Sequence, residues 1–576
     1  MTYEEFIRAK VELSKDHGFD VEDCAIRGLL KPHQRVSVRW AVRGGRRAIF
    51  AAFGLGKTFM QLETLRLILN RAGGRGLIVA PLGVRQEFKR DAERLGIDIR
   101  FVRRLEECSE TGLYLTNYET VRDGKLDPAA FTATSLDEAS VLRGFGGTKT
   151  FREFMRLFEA VPYRFVATAT PDPNEYIELL AYAAYLGIMD VGQAKTRFFK
   201  RDATKADVLT LHPHKEEEFW LWVASWALFL QKPSDLGFDD TGYALPEMRV
   251  HYHEVRADHS DATADKDGQV RMFRNAALGV VDAAREKRDS LPERIAKMVD
   301  ILDASPDDHF LLWHDLEAER AAIEAAVPDS VSVYGSQDLD EREQAITDFS
   351  EDRSKYLAAK PVIAGSGCNF QRHCHKAIFV GIGFKFNDFF QAIHRIHRFL
   401  QDRPVEIHII YCESEREVLR VLLEKWERHK EKVEKMSTII REYGLSDLAL
   451  AQALTRSIGV DRIEVSGDRY LLANNDCVDE TRRMAEASVG LILTSIPFST
   501  QYEYTPSYND FGHTENNDHF WAQMDFLTPE LLRILKPGRI YACHVKDRIL
   551  FGNVTGAGAP TVSPFHCEAT FHGLKH

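Results

Sequence analysis

The sequence predicts an α/β protein with several compact domains built on parallel sheets. Strand-like apolar runs alternate with helical patterns in two long segments, which is the pattern of parallel strands joined by helices. A third, shorter strand–helix series begins after residue 459. The chain has 576 residues, which is too long for a single hydrophobic core, so about three to four domains are expected.

The first series contains five predicted strands. Each is a short run rich in β-branched, aromatic or other apolar residues, and turn-forming or helical segments separate one run from the next. The runs are RAIFAAF (47–53), GLIVAPL (76–82), GLYLTNY (112–118), TATSLDE (132–138) and YRFVATA (163–169).

The second series repeats this organisation. A helical and aromatic stretch, about 175–290, separates it from the first, and within that stretch only MRVHYHEV (248–255) alternates like a strand. We interpret the stretch as an insertion followed by a linker. The strands predicted for the second series are HFLLWH (309–314), SVSVYG (330–335), KPVIAGS (360–366), KAIFVG (376–381) and EIHIIYC (406–412).

A long charged helix is predicted after residue 412. It is preceded by SERE (414–417), a capping-box pattern, and Gly444 is a plausible stop. The third series follows this helix. Its predicted strands are YLLANND (470–476), VGLILTS (489–495) and GRIYACHV (538–545).

The composition is that of an ordinary globular protein. Hydrophobic residues make up 44% and charged residues 28%, and the net charge of −12 gives no global sign of nucleic-acid binding. The stretch from Arg27 to Arg47 is a local exception, with seven Lys or Arg residues and no acid. A solvated helix face and a phosphate-contacting surface both account for it.

The chain is expected to be cytoplasmic. Its eight scattered cysteines fit a reducing compartment, and CNFQRHCH (368–375) lacks the second ligand pair of a zinc site. The N-terminus is polar and acidic, unlike a signal peptide. The longest apolar run, FWLWVASWALFL (219–230), is too short to cross a bilayer, so we expect a buried helix there and no membrane contact.

A glycine-containing loop, AAFGLGKTF (51–59), joins a strand to a helix pattern. Gly54 and Gly56, on either side of Leu55, allow backbone N–H groups to turn inward around phosphate oxygens. Lys57 can reach the β and γ phosphates, and Thr58 can bind Mg²⁺. The strict phosphate-loop pattern is not met, because residue 51 is Ala.

Two adjacent carboxylates end the fourth predicted strand, in DEAS (137–140). At that position Asp137 can hold Mg²⁺, through water, and Glu138 can polarise an attacking water as a general base. The order and spacing after the phosphate loop are those expected of an ATP-hydrolysing site.

The segment of about residues 28–401 resembles the superfamily-two helicases of Swi/Snf type. Eight short motifs occur in that family's order, and the resemblance implies two RecA-like lobes, ATP and Mg²⁺ as ligands, and DNA, usually duplex, as the partner. It also implies that Gln34 contacts adenine, that Gly367 lies in a second-lobe contact with ATP and nucleic acid, and that Arg395 and Arg398 act as arginine fingers. The motifs are LLKPHQ (29–34), FGLGKT (53–58), VAPL (79–82), TNYE (116–119), DEAS (137–140), TATP (168–171), GSGCNFQ (365–371) and QAIHRIHRFLQ (391–401).

A finer resemblance is to the helicases of phages and prophages. It rests on TATPDPNEYIELLAYAAYLG (168–187) and on the aromatic segment FWLWVASWALFLQKPSDLG (219–237). It suggests a role in phage or host DNA modification or defence, with partner proteins from such a system. The insertion then either steers DNA or a partner, or simply fills space as a helical bundle.

The stretch TSIPF (494–498) resembles the catalytic loop of amino-group DNA methyltransferases, [DNS]-P-P-[YFW] at a strand end. By that resemblance Ser495 and a backbone carbonyl accept the amino hydrogens of the base, Pro497 shapes the loop, and the Phe498 ring stacks on a flipped base. Residue 496 is Ile where the family has its first Pro, which makes the turnover rate doubtful. Asp476 matches an acid that contacts the adenosyl part of S-adenosylmethionine.

This resemblance covers about residues 465–576 and implies a partial Rossmann-like unit of circularly permuted type. Such enzymes carry their glycine-rich donor loop last, and the sequence reaches ATFHGLKH without one. The methyltransferase is therefore expected to be incomplete, and S-adenosylmethionine to bind only if the unit is completed. VTGAGAP (554–560) is glycine-rich but lacks the aromatic residue and acidic strand end of that loop.

Together these patterns predict a DNA motor fused to part of a methyltransferase. Two other functions stay open: an ATP-switched DNA-binding or scaffold module with an inactive methylase remnant, and an RNA helicase. The predicted domains are an N-terminal extension (1–27), a first RecA-like lobe (28–185), a helical insertion and linker (186–290), a second lobe (291–412), a helical linker (413–458) and the partial methyltransferase (459–576).

Overall fold

The structure is a computed structural model of the whole chain. It describes all residues except 11–13, 140–153, 172–175, 190, 202–208, 257–289, 365–368, 384, 447–449, 451–457, 500–502, 506, 515 and 551–560. Two large sheets, of seven and six strands, contain only parallel pairs. The predicted α/β class is confirmed, and the sheets are consistent with RecA-like or Rossmann-like folds.

The described helices begin and end as follows. They are α1 Tyr3–Ala9, α2 Pro32–Gly44, α3 Lys57–Ala72, α4 Arg85–Leu95, α5 Tyr118–Arg122, α6 Leu179–Leu186, α7 Val191–Phe198, α8 Glu216–Trp226, α9 Leu291–Asp303, α10 Glu317–Ala326, α11 Leu339–Ser350, α12 Pro361–Ala364, α13 Phe386–Ile393, α14 Arg416–Tyr443, α15 Cys477–Arg483, α16 Asn517–Ile534 and α17 Phe565–Lys575. Within the described part of the chain, none combines the length and the apolarity that a bilayer span requires.

The strands fall into two large sheets and several two-stranded pairs. They are β1 Arg46–Ala51, β2 Arg75–Ala80, β3 Ile99–Phe101, β4 Gly112–Asn117, β5 Ala133–Asp137, β6 Tyr163–Thr168, β7 Phe199–Arg201, β8 Leu209–Leu211, β9 Ala227–Leu230, β10 Met248–Val255, β11 Phe310–Trp313, β12 Ser330–Val333, β13 Tyr356–Ala359, β14 Lys376–Phe379, β15 Val405–Cys412, β16 Ile463–Gly467, β17 Tyr470–Asn474, β18 Val489–Ser495, β19 Leu535–His544, β20 Arg548–Leu550 and β21 Thr561–Ser563.

The first large sheet has the order β3-β4-β2-β5-β6-β1-β9. All five predicted strands of the first series belong to it, and β3 and β9 are additions. The prediction of one helix over 219–230 is wrong in its last part, because residues 227–230 pair with β1 at the edge of this sheet. That tetrapeptide, ALFL, is fully buried, and in so short an apolar run the sequence pattern does not distinguish a helix from a strand.

The second large sheet has the order β10-β15-β14-β11-β13-β12. The strand predicted over 360–366 is wrong: the strand is β13, which ends at Ala359, and the short helix α12 follows from Pro361. Proline lacks the N–H that a central strand donates, so the strand ends before it. β10 pairs along its whole length with β15 and is therefore part of this sheet, rather than of a linker.

The chain forms two compact groupings, each made of more than one segment. One contains residues 15–188 and 226–444, and therefore both large sheets. The other contains residues 1–14, 189–225 and 445–576. Of the segment predicted as a helical insertion and linker, 186–290, residues 189–225 belong to the second grouping, and β9 and β10 belong to the first.

The second grouping contains two-stranded sheets and an apolar cluster. β16 and β17 form an antiparallel hairpin, and β18 and β19 a parallel pair. Buried aromatic side chains of α1, α16 and α17 meet in the cluster, among them Phe6, Phe520 and Phe565. Apolar side chains of the small strands remain exposed, including Leu472, Leu493 and Ile540.

Candidate nucleotide-binding site

The glycine-containing loop lies between β1 and α3, as predicted. Gly54 and Gly56 have φ values of +87° and +83°, a conformation that residues other than glycine rarely adopt. A Cβ on Gly56 would lie 2.2 Å from Nε2 of Gln34, so the loop is also too close to α2 for a side chain at this position. The loop's shape therefore depends on both glycines.

Lys57 is the first residue of α3 and points back into the loop. Its Nζ donates a hydrogen bond to the carbonyl of Ala51 at 2.9 Å and lies 5.1 Å from the centre of the Phe53 ring. Burial lowers the pKa of this ammonium, and Arg398 and Arg395 act in the same direction. Thr58 is the next residue of α3, and the side chains of Lys57 and Thr58 line one cavity.

Gln34 connects α2 to the phosphate loop. Its Nε2 donates to the carbonyl of Leu55 at 2.9 Å, and its Oε1 accepts a hydrogen bond from the backbone N–H of Lys31 at 2.9 Å. Gln34 therefore holds the loop and also lines the same cavity as Lys57.

The two predicted carboxylates are buried side by side at the end of β5. Asp137 accepts a hydrogen bond from Gln61 at 2.8 Å, and burial together with the neighbouring Glu138 raises its pKa. Glu138 has φ = +46°, a left-handed conformation unusual for this residue type. Its carboxylate accepts a hydrogen bond from Thr168 at 2.7 Å and a longer one, 3.4 Å, from Gln391 of α13.

The second sheet's segment after α13 contributes the two predicted arginines. Arg395 is buried, its Nε donates to the carbonyl of Gln391 at 3.1 Å, and its guanidinium lies 5.1 Å from the Phe53 ring centre. Arg398 lines the same cavity as Lys57. A further hydrogen bond joins Thr170 to Asn387 at 2.6 Å, so both sheets contribute to one site.

These groups surround a cavity of about 640 Å³. It contains the phosphate loop, both carboxylates and both arginines, and this volume is in the range of small-molecule sites. Gly367, predicted as a second-lobe contact, lies outside the described residues.

Sequence reasoning missed Tyr243, which also lines the cavity. Its ring stacks on Phe399 with centroids 4.6 Å apart and an angle of 14°, and meets the edge of His33 at 5.2 Å. It lies in a segment without strand or helix periodicity, TGYALP (241–246), and only its aromatic character could have drawn attention to it. Gln61, Thr168 and Gln391 were missed as partners of the carboxylates.

The basic stretch from Arg27 to Arg47 is partly neutralised by acids outside it. Arg35 pairs with Asp23, and both Arg43 and Arg47 pair with Asp16. These three arginines are therefore engaged within the protein, which favours the interpretation as a helix face.

The predicted base-binding residues of the second grouping lie near the paired ends of β18 and β19. Oγ of Ser495 is 3.1 Å from Nδ1 of His544, and the Phe498 ring meets the edge of the same histidine at 5.7 Å. Pro497, which lies between Ser495 and Phe498 in the sequence, is half-buried. His544, opposite Ser495 in the strand register, was missed by sequence reasoning.

Both carboxylate oxygens of Asp476 accept hydrogen bonds from other groups of the protein. It caps α15 by accepting hydrogen bonds from the N–H groups of Val478 and Asp479, at 2.7 and 3.2 Å. The Tyr3 hydroxyl and the Asn509 amide each donate to its other oxygen at 2.7 Å. A carboxylate offers about four acceptor positions, so all of them are engaged here.

The chain was also compared with known proteins. Neither a scan against protein-family models nor a search of curated proteins finds a match for this chain.

Proposed function

We propose that this chain is an ATP-driven motor on DNA, similar to the Swi/Snf-type superfamily-two helicases, with a module related to amino-group DNA methyltransferases. One observation carries the proposal. A single cavity contains a phosphate loop and a carboxylate pair from one sheet, and two arginines from the segment that follows α13 of the other.

The chain's own residues account for γ-phosphate hydrolysis. Backbone N–H groups of the loop and Lys57 hold the phosphates, and Glu138 takes the proton of the attacking water. Thr58 and Asp137 offer the oxygen ligands that Mg²⁺ prefers, and they would hold it beside the phosphates. When bound, the ion would neutralise phosphate charge.

Hydrolysis in this proposal depends on both sheets. Arg395 and Arg398 stabilise the charge that develops on the transferred phosphoryl group. Gln391 and Asn387, from the same helix, contact Glu138 and Thr170 of the first sheet. A change in the separation of the two sheets would therefore alter catalysis, which is how nucleotide hydrolysis can be coupled to movement along DNA.

The second proposed activity, binding of a flipped base, rests on Ser495 and Phe498. They converge on His544 at a strand end, which gives a polar acceptor beside an aromatic ring. Transfer of a methyl group from S-adenosylmethionine would need a donor site that Asp476, with all its acceptor positions engaged, does not provide.

ATPase rates with different polymers test the motor proposal. We expect stimulation by duplex DNA to exceed that by single-stranded DNA or RNA. Glu138→Gln should keep nucleotide binding and lose about 10²–10⁴ in rate, and Lys57→Ala should weaken binding itself. Strongest stimulation by RNA would favour an RNA helicase, ATP binding without polymer-stimulated turnover would favour the switch module, and unchanged turnover in Glu138→Gln would refute the site.

A further inference from the structure

A cluster of histidines lies on the second large sheet, away from the nucleotide cavity. His251 of β10 is directly opposite His408 of β15 in the strand register, and Glu406 is on the same face two residues before His408. One ligand atom from each of these three side chains lies within 4.8 Å of the others. The nucleotide site uses none of them.

We propose that His251, His408 and Glu406 form a binding site for a borderline transition-metal ion of the Zn²⁺ class. Two imidazoles and one carboxylate are a ligand set that zinc uses, with a fourth position left to water. Ca²⁺ and Mg²⁺ prefer oxygen ligands alone, so the two histidines disfavour those ions.

His253 gives the cluster the outer hydrogen bond that metal-binding histidines normally have. Its Nε2 is 3.0 Å from Nδ1 of His408. When Nδ1 of His408 donates to His253, its Nε2 carries a lone pair and faces Glu406, whose Oε2 is 3.8 Å away.

Two features limit the affinity of the site. Ligand atoms on one zinc ion lie about 3.3 Å apart, given bonds of about 2.0–2.1 Å, so the cluster has to contract on binding. His251 is partly exposed on an edge strand and Glu406 is half-buried, which allows this movement. Lys376 lies 3.2 Å from Glu406 and competes with the ion for its carboxylate.

A bound ion would join β10 to β15 through their side chains. β10 is the edge strand of its sheet, so a metal bridge there would hold it more firmly to its only strand neighbour among the described residues. Thermal stability should therefore rise with zinc concentration, because the ion binds the folded chain.

The test is a calorimetric titration of the full chain, freed of metal by a chelator, with ZnCl₂. We expect one saturable site, with binding lost in His251→Ala, His408→Ala and Glu406→Gln. His253→Gln should weaken binding about 10–100-fold, as changes of outer-shell partners do. Lys376→Gln should strengthen it, which a merely adventitious site would not show.

Two control variants accompany these. Tyr252→Phe is on the same strand as His251 but faces the other side of the sheet. His373→Ala removes a histidine in the turn before β14, 4.0 Å from a carboxylate oxygen of Asp352. Both should bind zinc as the unchanged chain does. Absence of saturable zinc binding would overturn the proposal. Equal zinc binding in the three ligand variants would also overturn it and would indicate an adventitious ion only.

Discussion

Glu138 shows how the site is built at the scale of a single residue. Its positive φ costs about 1–3 kcal/mol for a residue with a side chain, and its neighbours hold it in place. The backbone N–H of Glu138 donates to the carbonyl of Ala167 at 2.9 Å, and Thr168 donates to its carboxylate. A strained conformation held by adjacent strands fixes where the proposed general base points.

Tyr243 leads to a prediction about nucleotide affinity. Tyr243, its stacking partner Phe399 and Gln34 all line the cavity, so a bound adenine can extend the aromatic stack. Aromatic pairs contribute about 0.5–1.5 kcal/mol, so Tyr243→Ala should raise the KM for ATP up to about tenfold with a smaller change in kcat. Steady-state ATPase assays measure both constants.

Tyr243→Phe is the matched control, since it keeps the ring and removes only the hydroxyl. It should retain the original KM. If the Ala variant also retains it, the tyrosine does not contact the base and the stack has only a packing role.

At the scale of elements, the strands of the first sheet were the most predictable part. β1, β2, β4, β5 and β6 are short buried runs between clear turn or helix signals, so local pattern suffices for them. The glycine loop and the carboxylate pair at the ends of β1 and β5 follow from the same pattern, because functional loops leave the carboxyl ends of parallel strands.

The elements that were mispredicted depend on tertiary pairing. β9 continues directly from α8 without a break in apolarity, and only its pairing with β1 makes it a strand. The hydrogen-bond partners of Asp476 are also distant in sequence, because Tyr3 and Asn509 are 473 and 33 residues away. No local pattern reveals such partners.

The segment after α13 allows a test of the arginines. Arg395 and Arg398 line the cavity with Lys57, and transition-state charge develops only during phosphoryl transfer. Replacing either by Ala should therefore lower kcat much more than nucleotide affinity. The measurement is single-turnover hydrolysis together with equilibrium binding of a fluorescent ATP analogue.

A matched variant is Arg403→Ala, which lies on the same segment and donates to the carbonyl of His373 instead. It should hydrolyse ATP at close to the original rate. Loss of affinity with kcat intact in Arg395→Ala or Arg398→Ala would mean that these arginines support the fold and not the transition state.

A buried ion network in the second grouping gives a stability prediction. Lys215 is almost fully buried, and its Nζ lies 2.9 Å from Glu218 and 2.7 Å from Glu503. Lys215→Met would remove the ammonium that pairs with both carboxylates and would leave Arg197 as the cation paired with Glu218. Breaking a buried pair costs about 3–5 kcal/mol. Hydrogen exchange of peptides around His513, which also contacts Lys215, should become faster.

Arg8→Ala is the control for this effect. Arg8 and Glu4 form an exposed pair, which contributes about 0–1 kcal/mol, so exchange should change little. If Lys215→Met exchanges as slowly as the unchanged chain, the network adds nothing to the stability of this part.

At the scale of the whole molecule, the two groupings are joined by continuous chain. α8 begins in the grouping that contains Ser495 and runs directly into β9, which pairs with the strand that leads into the phosphate loop. Both proposed activities therefore lie on one continuous chain, and each has its own residues and its own chemistry.

This separation of chemistry leads to the last prediction: the 576-residue chain hydrolyses ATP but transfers no methyl group. Ser495 and Phe498 can hold a base, but the four hydrogen bonds to Asp476 leave it no acceptor for the donor's adenosyl part. Positioning supplies much of the rate of such transfers, so a base held without its donor should not react.

The measurement is incorporation of labelled methyl groups into mixed-sequence DNA, with ATPase activity followed in the same sample. Phe498→Ala should leave the ATPase rate unchanged, because the ring does not belong to the nucleotide cavity. Clear methyl incorporation that disappears in Phe498→Ala would contradict the prediction and would mean that the chain holds S-adenosylmethionine through residues other than Asp476.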